Sequence, residues 1–246
     1  LSSITISLIT LAFVFGGALL GMVLRAALPQ NASTSDSRDV VKLGMGLVGT
    51  LAALVLGLLI ASAKTSFDTQ NVELTEVSSK AVLLDRVLAH YGPEAKEARD
   101  ELRGSIVHTL DTMFSQDASQ LESTKGELLY DTIQGLSPRD DAQRSMQVQA
   151  LSITLALGQT RWLIAEQRVS SISVPLLVVL IFWLTIIFMS FGLFAPRNLV
   201  VVVSLLVSAL SVSGAIFLIL EMYSPYAGLI HVSADPLRAA LARLGQ

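Results

Sequence analysis

The chain of 246 residues contains no cysteine, three histidines and few charges. Without a thiol it has no disulfide framework, no thiolate metal site and no cysteine nucleophile. His90, His108 and His231 stand at none of the spacings that build a zinc site. The sequence also lacks H-E-x-x-H, G-x-S-x-G and the phosphate-binding P-loop. It thus carries no sign of an enzyme, of a cofactor or of a resident metal. Asp, Glu, Lys and Arg make up 15% of the residues, against about 25% in soluble domains. What fills the space is hydrocarbon: 52% of the chain is hydrophobic and the mean hydropathy is +0.62. Such a composition belongs in a bilayer.

Four apolar runs carry no internal charge: residues 4–24, 43–63, 172–194 and 199–220. Each meets the length of about 20 residues that a helix needs to cross a hydrocarbon core of about 30 Å. The first has no basic segment before it and is long for a cleaved signal peptide, so it reads as a span. The predicted fold is all-α: an integral membrane protein with four transmembrane helices and a helical soluble domain inserted between the second and third spans. Residues 1–64 hold spans 1 and 2, residues 65–170 the inserted domain, residues 171–221 spans 3 and 4, and residues 222–246 a C-terminal tail. An even number of spans puts both termini and the insert on one side. Lys and Arg divide almost evenly between the two sides, so charge alone does not orient the chain.

The insert reads as helices. Leu74, Val77, Ala81, Leu84 and Leu88 fall three and four apart, as do Ala95, Ala98, Leu102, Ile106, Leu110 and Met113. Tyr91-Gly92-Pro93 separates these stripes, glycine suiting a helix C′ position and proline the next first turn. A weaker helix is predicted over residues 121–133, and another from Ser137 as N-cap, with Pro138 at N1. Residues 65–170 hold 10 Lys and Arg against 16 Asp and Glu, a balance of −6. That excess argues against nucleic acid as a partner, and the carboxylates read as solvated faces.

Inside Lys42–Thr50 stands GMGLVG, a literal match to the dinucleotide pattern G-x-G-x-x-G. A phosphate loop needs a strand before it and a helix opening at the glycines. Here the glycines lie at the entry of an apolar run. Read at a spacing of four, Gly49, Ala53, Gly57 and Ala61 form a small-residue stripe, with Gly46 and Thr50 beside it. Small residues let membrane helices approach closely, so the second helix is expected to be packed on several sides by protein. Leu43, Leu47, Leu54 and Leu58 lie on its other faces and, with Thr50, are candidates to line or gate a pore; plain packing is the alternative. Lys64, Asp68 and Glu221 are candidate charges at a pore mouth. Interfacial anchoring accounts for the first two as well, and snorkelling for the third. Ser204, Ser208 and Ser211 share one face of the fourth span and suit helix packing.

Three blocks carry a resemblance: DSRDVVKLGMGLVGTLAALVLGLLIASAKTSFD at residues 36–68, GLFAPRN at 192–198 and ILEMYSPYAGLIHVSADPLRAAL at 219–241. They resemble a family of bacterial membrane proteins with a bestrophin-like domain. The architecture is similar to that of bestrophins, pentameric ion channels with four membrane helices, cytoplasmic termini, a helical cytoplasmic domain and a pore lined by the second helix. The aromatic and proline-rich neck of the animal channels is not found in this second helix. The resemblance implies a multi-pass protein of the bacterial inner membrane, a homo-oligomer with a pentamer favoured, and small inorganic ions as what passes through it. The alternative is a non-conducting scaffold that docks a partner through an amphipathic face of its helical insert.

Overall fold

A computed structural model of the chain describes residues 2–27, 35–113, 124–169, 173–226 and 228–245. The helices among them are α1 (Ser3–Ala27), α2 (Ser35–Tyr91), α3 (Lys96–Met113), α4 (Thr124–Gln134), α5 (Asp141–Val169), α6 (Val174–Phe194), α7 (Leu199–Met222) and α8 (Asp235–Arg243). No strand occurs among the described residues. Four helices, α1, α2, α6 and α7, are long and apolar enough to cross a membrane. The protein is an all-α membrane protein.

The second span and the first stripe of the insert are one helix of 57 residues. The reason lies in what α2 lacks: no proline falls between Pro29 and Pro93, and its glycines are confined to the apolar half. It stops where the sequence predicts, at Gly92, whose φ of 127° an L side chain rarely adopts. A single 3₁₀ turn, Pro93–Ala95, then leads into α3.

The chain divides into two compact units, Leu1–Ser66 with Ser171–Tyr223, and Phe67–Ser170 with Ser224–Gln246. In the first, α1 packs against α6 and α7. A side chain on Gly21 would strike the carbonyl oxygen of Met189, and one on Gly192 that of Ala18. A side chain on Gly17 would come within 2.9 Å of Thr185. Bare backbones therefore meet where α1 and α6 cross. The pairing of Gly17 with Thr185 and Gly21 with Met189 makes the two helices parallel, so the negative ends of their dipoles come together. Two cations offset this. Arg25 donates from Nη1 to the carbonyl oxygens of Ala195 and Phe194, and Arg197 donates from Nη2 to that of Met22 at 2.5 Å. Arginine near a helix C-terminus satisfies orphan carbonyls and suits the dipole.

In the second unit Leu74, Val77, Leu84, Leu88, Ala98, Leu102, Ile106, Ile133 and Ala150 form one buried cluster. All but Ile133 on α4 and Ala150 on α5 belong to the stripes that the spacing predicts on α2 and α3. Lys80 on α2 donates to Thr160 Oγ1 on α5 at 3.1 Å, and Arg161 donates to Ser105 Oγ on α3 at 3.0 Å. Burial lowers the pKa of Arg161 from its ordinary value. The C-terminal residues join this unit: Val232, Leu237 and Leu244 are buried in the same cluster, and α8 packs against α3.

The cap of α5 differs from the expectation at Ser137. The helix begins at Asp141, and Asp140 caps it, accepting from Gln143 N at 2.7 Å. Gln143 Oε1 accepts in return from Arg139 N at 2.8 Å, close to a capping box. Proline at 138 fits the extended approach, leaving Asp140 nearest the free amides. The same Gln143 donates from Nε2 to Tyr91 O at 2.9 Å, which closes the end of α2. Asp140→Ala is expected to cost about 1 kcal/mol, read as faster hydrogen exchange confined to the first turn of α5.

Candidate pore helix

The sequence of α2 sorts into three faces within its apolar half. Ala52, Leu59 and Ala63 are buried, with Met45, Val48, Val55 and Leu56 partly so, all in the core of the first unit. Opposite them on a helix of 3.6 residues per turn lie Leu43, Leu47, Thr50, Leu54 and Leu58. The four leucines are 76%, 65%, 60% and 62% exposed. Between these faces runs the small-residue strip. Gly46, Ala53, Gly57 and Ala61 are exposed and Gly49 half-buried, and a Cβ on any of the three glycines would meet nothing within 4 Å.

Thus α2 is the least covered of the spans. In its most apolar window 11% of residues are buried, against 39% in α1 and in α6. Its own chain covers one face and leaves both the leucine face and the strip open. Thr50 sits on the leucine face with its hydroxyl bonded back to Gly46 O at 2.9 Å, so the threonine is satisfied within the helix.

The three candidate charges differ in exposure. Lys64 and Asp68 are exposed on α2, while Glu221 is 4% exposed, at the end of α7. Snorkelling does not describe a carboxylate enclosed in this way. Ser204, Ser208 and Ser211 line an exposed face of α7, where Ser208 and Ser211 bond to carbonyls of their own helix. Among the described residues no group of three His, Asp or Glu side chains is placed to hold a metal ion.

Within one chain, close packing by glycine is found on α1 and α6. It is α1 that brings glycine against a neighbour, through Gly17 and Gly21, and α6 through Gly192. The signal was present as G-x-x-x-G at Gly17 and Gly21 in an apolar run, overshadowed by the richer stripe of α2. A second feature had no signal at all. Ser62 on α2 shares a hydrogen bond of 2.9 Å with Tyr223, the residue that ends α7. Their separation of 161 positions hides the pair from any local pattern.

No curated protein and no solved structure matches the chain. The model of one family does, over residues 11–237, a stretch that runs from within α1 to within α8. On that match the chain belongs to the Bestrophin-like domain family.

Proposed function

We propose that this protein is the subunit of a ring-shaped homo-oligomer that conducts small ions, with α2 nearest the axis. The observation that carries this reading is the exposure of the charge-free stretch of α2, residues 43–63, whose leucine face and small-residue strip are both left uncovered by its own chain. Neighbouring copies supply the cover. The strip accepts a helix at close range, since lipid gives no hydrophobic reward for association and close packing does. The leucines then constrict the path, gating it by dewetting. Membership in the family favours a pentamer in the bacterial inner membrane, with the termini and second unit cytoplasmic. Lys64 and Asp68 stand beyond the leucines on the same helix. The −6 balance of residues 65–170 would favour cations in a wide vestibule.

The absence of native cysteine makes the test clean. Protein carrying Leu54→Cys or Leu58→Cys is expected to have the mass of a ring in mild detergent. In liposomes it is expected to pass small ions, and to lose most of that flux when a thiol reagent is added. A monomer that passes no ion would overturn the reading.

One observation favours a partner-binding scaffold instead. Val148, Leu155 and Trp162 on α5 recur every seven residues and are 63%, 55% and 69% exposed, a strip suited to a docking helix. On that reading the solubilised protein is a monomer or dimer, and Trp162→Ala abolishes capture of the partner without changing any ion flux.

A further inference from the structure

The spans of the first unit are tied together in two ways. Three of them interlock through their main chains: α1 and α6 meet at Gly17, Gly21 and Gly192, and Ser213 on α7 donates to Ser7 O on α1 at 2.5 Å. Their arginine clamps close one end. The fourth, α2, is held differently. Its glycines meet no neighbour, and it reaches the core through the side chains of Ala52, Leu59 and Ala63, with Met45, Val48, Val55 and Leu56 partly buried beside them. Of the three buried positions two are alanines, whose short side chains interlock little with a neighbour.

Against that background the hydroxyl of Ser62, like that of Ser213, bonds outside its own helix. Ser7, Thr10, Thr50, Thr185, Ser208 and Ser211 each satisfy their hydroxyl on a carbonyl four residues back in their own helix. That is the ordinary choice for a hydroxyl in a helix. Ser62 instead reaches across to Tyr223 Oη. Tyr223 is well placed to receive it, since its N–H bonds to Ile219 O at 3.2 Å and fixes it at the C-cap of α7.

We propose that the apolar half of α2 can separate from the other spans and that the Ser62–Tyr223 hydrogen bond is a latch holding it against α7. Tyr223 is a positioning residue: it acts on the leucine face through the placement of α2. Ser62 lies one turn beyond Leu58, so release at Ser62 moves the end of the leucine face first. A neutral hydrogen bond of this kind shifts an equilibrium by about 2- to 10-fold. That is enough to change a population of released helices and too little to unfold the span.

The test is a distance within one chain and needs no conduction, so its failure and that of the channel reading are distinguishable. Spin labels on Ile60→Cys and Leu218→Cys, both at exposed positions, report the α2–α7 separation in protein diluted with unlabelled chains. Tyr223→Phe is expected to raise the fraction of the longer distance about 2- to 10-fold, and Ser62→Ala to do the same. The double variant is expected to match either single one, and Ser62→Thr, which keeps a hydroxyl, to match the parent. An unchanged distribution in Tyr223→Phe would overturn the latch. So would a double variant whose shift is the sum of the singles, since two groups that act only through each other cannot add.

Discussion

Asp85→Ala is expected to destabilise the second unit by about 3 kcal/mol, the lower end of the cost of breaking a buried ion pair. The Asp85 side chain is 5% exposed and accepts two bonds from Arg99, from Nε at 2.8 Å and from Nη2 at 3.1 Å. Arg99 is 24% exposed, so solvent relieves part of the cost of leaving it alone. A fork of two parallel bonds is the strong form of this pair, and the carboxylate's hydrogen bond holds the guanidinium pKa above its ordinary value. The same carboxylate accepts a third bond, from Gly245 N at 3.2 Å. One side chain on α2 thus fastens both α3 and the residues after α8. The expected result is a loss of amide protection in α3 and in residues 235–245 before the rest of the unit opens. Asp85→Asn, which keeps an acceptor and loses the charge, is expected to fall between. Hydrogen exchange by mass spectrometry reads both; unchanged protection of α8 in Asp85→Ala would remove the carboxylate from this role.

Asp85 also marks where the sequence stops being informative. The four spans are legible because a charge-free run of about 20 residues has few other homes. The stripes of α2 and α3 are legible because burial along a helix repeats every three to four residues. Asp85 stands one position from Leu84 on such a stripe. Its partner is 14 residues ahead and its third bond 160 away, so nothing local separates it from the solvated carboxylates around it. The helix leaving the membrane is expected to project into solvent, but the full length of α2 is less legible, for another reason. Hydropathy ends at Lys64, which reads as a boundary, while the helix ends only at Gly92, where the backbone demands it. Polarity and helicity are independent properties, and a span can leave its apolar half without a break. The glycines show the same division. Small residues four apart state that a close approach is possible, and only the fold tells that α1 uses it within the chain while the strip on α2 is left open by its own chain.

That division yields the other large effect. Gly21→Ala and Gly192→Ala each add a single methyl group, yet each is expected to destabilise the first unit by about 3 kcal/mol, the upper end of the overpacking range. The methyl group meets backbone on the facing helix, Met189 O in one case and Ala18 O in the other. A carbonyl cannot turn aside as the end of a long side chain does. Relief requires α1 and α6 to move apart, which would also draw Arg25 from Ala195 and Arg197 from Met22. Gly16→Ala is the control: it is exposed, its Cβ would meet nothing within 4 Å, and alanine favours a helix over glycine by up to about 1 kcal/mol. Gly46→Ala and Gly57→Ala divide the remaining possibilities. In a solitary chain they should behave like Gly16→Ala, since nothing in that chain faces them. In a ring whose neighbours pack against the strip, they should shift the balance toward smaller assemblies while the unfolding of each subunit stays where it was. Thermal unfolding in detergent, followed together with the mass of the assembly, separates the two. If Gly21→Ala unfolds no earlier than Gly16→Ala, α1 and α6 do not cross as closely as these glycines require.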